Sequence, residues 1–215
     1  MLCLRLTSLL VLVLGVSLGA AFPHNTLRKG CSLFKYKQVT FDEKKAVKKM
    51  QKEFRNIRQP GRNCDSGLLD RKWMSAHLSV PDRVVLVEAE LNFTITMLQL
   101  STHPGFTKMR QRPLAFLAQA REDLRGCVAP SHQPSGELSQ WLQNLQVAMN
   151  MVSWVSGARG SRGVSDPHGC TLTPLLTQAL SPPHENTGCL EDYAVRHVFE
   201  VLEDLNCAAL QEQCS

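Results

Sequence analysis

Apolar residues recur along this chain at helical spacing. Val47, Met50, Phe54 and Ile57 fall on one stripe, with Lys45, Lys49, Lys52 and Asn56 on the opposite side. Thr40-Phe41-Asp42-Glu43 just upstream reads as a capping box, in which a Thr hydroxyl and a Glu three residues on satisfy free amides at a helix start. Gln59-Pro60-Gly61 interrupts the pattern, so a first helix is predicted over 40–57. Residues 60–80 read as a long loop with room for a short helix near Leu68–Trp73. Ser79-Val80-Pro81-Asp82 opens a second helix with Pro in its first turn, and Val84, Val87, Leu91, Ile95 and Leu98 carry its stripe to Leu100. Thr102-His103-Pro104-Gly105 reads as a break. A third helix is predicted from near Arg112-Pro113 to Cys127, with Leu117, Ala120, Leu124 and Cys127 inward. Beyond a polar loop at 130–136, Leu138, Trp141, Leu142 and Leu145 mark a fourth that extends to Val152. Leu190, Ala194, Val198, Val201 and Leu205 mark the last, over 188–205. Val84 to Val87 is rich in β-branched residues, but the Pro cap and the helical spacing after it favour helix. The chain therefore reads as all-α, a disulfide-stapled up-down bundle of five to six helices.

Two segments break the pattern. Residues 156–187 begin with Gly, Ser and Arg and continue with Pro167, Pro174, Pro182 and Pro183; only Leu172–Leu180 could form a short helix. So long a structureless stretch is uncommon inside a compact domain, and it reads as a flexible insert. At the start, Arg5, the apolar run Leu9–Leu14 and the small residues Gly19-Ala20-Ala21 follow the order of a secretory signal peptide over 1–21. The run is short of the ~20 residues a membrane-spanning helix needs. The remainder, 22–215, is predicted to be one helical domain, exported, with no membrane insertion.

Charge sharpens the picture. The 215 residues carry 24 cations and 19 acids, a mild excess, and 6% aromatics, too little charge and too few stacking rings for a nucleic-acid binder. The excess is concentrated: residues 28–72 hold 14 cations against 5 acids, a local +9, while the rest of the chain after the leader is at −5. A solvated basic helix face that also orients a partner accounts for this polarity, with a surface for an acidic receptor or for heparin-like glycans as the sharper alternative.

Eight cysteines are present, and loss of the leader removes Cys3. The remaining odd number leaves one thiol over in an oxidising compartment, and Cys170, inside the insert, is the natural candidate. Cys207 and Cys214 are close enough in sequence to close a local loop; the pairing is otherwise open. No CxxC spacing suggests zinc or redox chemistry.

Catalytic motifs are missing. There is no HExxH, Walker A or GxGxxG, and the single GxSxG, at Gly15–Gly19, lies in the leader. The seven histidines are scattered, and Glu88 and Glu90 point to different helix faces. The chain is thus predicted to be no enzyme, with no cofactor and no metal. Asn92-Phe93-Thr94 is a glycosylation sequon, making Asn92 a candidate glycan site.

Several segments resemble one family. Lys29-Gly30-Cys31 with Lys35-Tyr36-Lys37, the stretch Val84 to Leu91, Arg112-Pro113-Leu114, Gly188-Cys189-Leu190-Glu191 and the Cys207–Cys214 tail are similar, in order and spacing, to the type III interferons, the interferon lambda cytokines. The resemblance covers nearly all of the chain after the leader except about 147–187. It implies a class II helical cytokine related to interleukin-10. Such a cytokine acts as a monomer that bridges interferon lambda receptor subunit 1 and interleukin-10 receptor subunit beta, and signals through JAK and STAT proteins to an antiviral state. It also implies the pairs Cys31–Cys127, Cys64–Cys189 and Cys207–Cys214.

In the family the first receptor grips the first helix, the loop after it and the last helix. Phe199 lies off the inward line of the last helix, so it is the leading contact candidate, its alternative being to pack under the insert or against the first helix. Arg196 stands where members often have an apolar residue, and Lys45, Lys49 and Lys52 are weaker candidates. The shared receptor would meet the third helix near Gln119 and Glu122. The insert is the main departure, since members join the fourth and last helices by a short connection; translated intron is one account of it. The competing functional class is another secreted helical-bundle cytokine or hormone without antiviral activity.

Overall fold

The first helix starts where its capping residues dictate. In the computed structural model α1 spans Phe41–Ile57, and the Thr40 hydroxyl accepts from the Glu43 amide at 3.3 Å. α2 spans Val80–Leu100, with Ser79 capping the Asp82 amide and Pro81 in the first turn. α3 (Pro104–Leu124), α4 (Gly136–Gly160) and α5 (Glu185–Leu210) follow, with short 3₁₀ turns at Phe34–Tyr36, Ser75–His77 and Gln211–Gln213. The structure describes residues 27–28, 31–58, 64, 69–160 and 185–214, with backbone alone at 151–160 and 185–186. The predicted leader at 1–21, Cys170 and the short helix at 172–180 lie outside the described residues. No strand occurs among the described residues.

Several helix boundaries differ from the sequence reading. α3 begins at Pro104, eight residues before the predicted start, because the His103-Pro104 pair taken as a break is a helix entry with Pro at its first position. Pro113, read as that entry, lies inside the helix and is buried. α3 ends at Leu124, ahead of Gly126, whose φ of 74° takes the left-handed turn that glycine tolerates. α4 runs to Gly160 and α5 starts at Glu185, so both helices enter the stretch read as insert, and 161–184 lie outside the described residues.

Side-chain pairs fix the topology. Glu43 with Arg112, and Glu53 against Gly105, set α1 antiparallel to α3. Phe93 against Tyr193, and Arg83 on the Gln211 carbonyl, set α2 antiparallel to α5. α1 and α2 are consequently parallel, joined by the long crossover from 58 to 79; from α2 onward the helices alternate.

α2 is the central helix. Val84, Val87, Leu91, Ile95 and Leu98 pack into a larger apolar cluster with α1, α3 and α5. Its opposite side, Leu86, Phe93 and Met97, packs into a smaller one with Leu69, Trp141, Leu145 and Tyr193. The smaller cluster is closed by polar anchors. The Leu69 carbonyl accepts from Trp141 Nε1 at 2.9 Å and from the Tyr193 hydroxyl at 3.0 Å. Arg71 meets Asp204 at 2.6 Å and Glu90 at 3.1 Å, with Trp73 beside its guanidinium. Arg83, 6% exposed, donates to the Ser75, Ala76 and Gln211 carbonyls and so ties the loop before α2 to the end of α5.

Candidate functional site

The face shared by α1, α5 and the segment 37–39 is built from the backbone outward. Asn206 on α5 donates to the Tyr36 and Lys37 carbonyls, fixing the 3₁₀ turn along α5. The Tyr36 hydroxyl donates to Asp123, which also holds Lys35 at 2.5 Å. Burial works against the Asp123 charge, but hydrogen bonds from Lys35, Tyr36 and Gln119 prevail and hold its carboxyl below the ordinary value. With that turn anchored, a groove of about 670 Å³ opens between Lys37–Val39, α1 and α5. Phe199 and Leu202 give it apolar lining, Lys44 and Lys48 border it from α1, and Glu203 from α5. Phe199 is half-buried at the margin of the larger cluster, so it both packs and lines the groove. Alongside, Gln51 Nε2 donates to the Val195 and Arg196 carbonyls at 2.9 and 3.2 Å, closing the α1–α5 seam.

The other candidates are placed as follows. Arg196 is exposed but held by Asp192 at 3.1 Å, and it does not line the groove. Asp192 also takes Arg58 at 3.1 Å. Lys45, Lys49 and Lys52 are exposed one face away from Lys44 and Lys48, with Lys45 6.0 Å from the Phe41 ring centroid. Gln119 and Glu122 are exposed on α3; Gln119 bonds Asp123 and Glu122 pairs with Arg125. Asn92 is exposed on α2 and accepts from Arg121 at 3.2 Å, whereas Thr94 of its sequon is 2% exposed. Cys31 is bonded to Cys127, Cys64 to Cys189 and Cys207 to Cys214. The first two span 96 and 125 residues and tie both ends of the fold to its middle. Among the described residues no group of His, Cys, Asp and Glu is placed to hold a metal ion, and no helix is long and apolar enough to cross a membrane.

A family model described as Interleukin-28A matches residues 28–156. Interferon lambda-3 of Gallus gallus is 42% identical, with all of both chains covered. The chain belongs to the type III interferon family, the interferon lambdas. Interferon lambda-1 of Homo sapiens is 28% identical over 65% of this chain and 74% of its own. Interferon lambda-3 of Mus musculus is 26% identical over 86% of this chain and 83% of its own. The chain is accordingly an interferon lambda cytokine and not an enzyme.

For an interferon lambda, whose work is contact, the informative residues include several the sequence reading passed over. Lys44 and Lys48, and not the equally exposed Lys45 and Lys49, share the groove with Phe199. Phe34 and Phe41, 75% and 77% exposed, stand on either side of the 37–39 segment. Phe41 falls on the lysine side of the helical wheel, a signal that periodicity carries. Phe34 and Lys37 gave no such signal, because the 3₁₀ turn is set by Cys31–Cys127 and Asn206, which act from remote parts of the chain.

Proposed function

We propose that this interferon lambda is exported after removal of 1–21. It then bridges interferon lambda receptor subunit 1 and interleukin-10 receptor subunit beta, which starts JAK–STAT signalling toward an antiviral state. The first receptor docks on the α1–α5 groove and the second on α3 near Gln119 and Glu122. The observation that carries this reading is the groove itself. Interfaces concentrate their energy in aromatic anchors ringed by polar groups. Phe199 sits in such a setting, with Lys44 and Lys48 on one rim and Glu203 on the other. Arg196, engaged with Asp192, borders this contact, and Lys45, Lys49 and Lys52 lie on the adjacent exposed face of α1. Asn92, exposed on α2, carries the glycan outside the groove.

The test is STAT phosphorylation by purified mature protein on matched cells with and without interferon lambda receptor subunit 1. Response only in receptor-bearing cells is expected. Phe199→Ala should weaken binding to that receptor's ectodomain by about 30-fold, the scale of a hot spot, with the melting temperature monitored alongside. An equal response in cells lacking the receptor would refute the assignment.

A further inference from the structure

We infer that a second surface of this interferon lambda, the outer face of α1 continued onto α3, binds sulfated polysaccharide of the glycosaminoglycan class. Lys45, Lys49 and Lys52 recur at spacings of four and three, so they form one row about 10 Å long on α1. The row does not end at the helix edge. On α3, Gly105 abuts Glu53 and Arg112 bonds Glu43, so both face α1. Lys108 lies between them at helical spacing on that same side, and it is exposed. Among the described residues none of these four lysines has a carboxylate within ion-pair distance, whereas Arg112 and Arg58 nearby are paired with Glu43 and Asp192. Of the nearest acids, Glu43 is taken by Arg112 and Glu53 is half-buried against Gly105; Asp42 is exposed one turn before Lys45, so the uncancelled charge of the row lies at Lys49, Lys52 and Lys108.

The kind of partner follows from what the patch lacks. Protein interfaces are depleted in lysine and rely on aromatic or arginine anchors, and from Lys49 onward this row offers neither in its centre. A linear polyanion needs no anchor. It is held by release of its condensed counterions to a line of mobile cations. None of the four lysines lines the Phe199 groove, although Lys48 on its rim neighbours Lys45 and Lys52 on α1, so the two surfaces are adjacent and distinct. The inference does not depend on the receptor assignment and takes from it only the extracellular setting.

The experiment measures binding of the purified full chain to immobilised heparin across a salt series. Lys49→Ala, Lys52→Ala and Lys108→Ala combined should lower the slope of log affinity against log salt by roughly one per lysine removed. Removing equal charge elsewhere, with Lys35→Ala, Lys72→Ala and Arg125→Ala, should change it little. Melting temperatures of both variants establish that they fold. Equal losses in the two triple variants, or no loss in the first, would overturn the proposal. Binding to unsulfated hyaluronan as tight as to heparin would overturn it too. A fall in STAT response by the first variant on cells without sulfated glycans would assign the row to a receptor, which again refutes it.

Discussion

The two apolar clusters on either side of α2 are held by different means. In the larger, α1, α3 and α5 meet α2 through interlocking side chains such as Phe54 and Phe106, whose rings are 5.3 Å apart. Most of its residues lie on helices whose backbone groups bond within the helix, and its loop part, Leu33 to Tyr36, needs only Asn206 on the Tyr36 and Lys37 carbonyls. In the smaller, α2, α4 and α5 enclose a loop segment, and a loop brings unpaired carbonyls with it. Trp141 and Tyr193 answer the Leu69 carbonyl, and Arg71 sits between Asp204 and Glu90. A seam between helices needs only matching stripes. A seam between helices and loop also needs polar side chains to compensate the buried backbone.

This contrast can be broken from each side. Phe106→Ala, at a fully buried site, should cost about 3–5 kcal/mol and lower the urea midpoint of the whole molecule. Arg71→Met should cost about 3 kcal/mol, because Glu90 and Asp204 lose the cation between them. Its signature is local: amide exchange should rise in 69–78 and early α4 while α1 and α3 keep their protection. An equal rise in α1 would show that the two clusters are one cooperative unit. Thr40→Ala removes only a cap and should cost about 1 kcal/mol in thermal or denaturant unfolding.

The smallest effect sharpens the comparison through pH. Burial, and then the neighbouring Asp204, push the Glu90 carboxyl well above the ordinary range despite Arg71. The native state therefore binds a proton there that the unfolded chain releases. The resulting stabilisation is complete below the ordinary glutamate value of about 4.3 and is lost as pH rises through the folded value. Glu90→Gln, which cannot release that proton, should flatten the fall of melting temperature between acid and neutral pH. An unchanged slope would show that Glu90 is not the group responsible.

The sequence was most informative where physics is local. The capping residue of α1, the Pro turn of α2 and the stripes Val84–Leu98 and Leu190–Leu205 were legible because each side chain's role depends on near neighbours. α3 was misread at its start because Pro104-Gly105 carries the same signature as a turn and as a helix entry. What decides between them is remote: Gly105 lies under Glu53 of α1, where a Cβ would come within 2.4 Å of that carboxylate. Arg110 also bonds the Leu98 and Ser101 carbonyls at the end of α2. The second face of α2 and the role of Arg71 were hidden for the same reason. The groove was legible in part. Phe199 stood out on the helical wheel, but its cationic neighbours Lys44 and Lys48 depend on how α1 is rotated against α5, which Gln51 and two α5 carbonyls settle.

Arg83 couples two places far apart in sequence, since one guanidinium serves Gln211, 128 residues after it, as well as Ser75 and Ala76 just before it. Neither strand of that arrangement can withdraw without stranding a cation in the interior. Proteolytic trimming that reaches Gln211 should therefore be felt far upstream, in the crossover that hands the chain from α1 to α2.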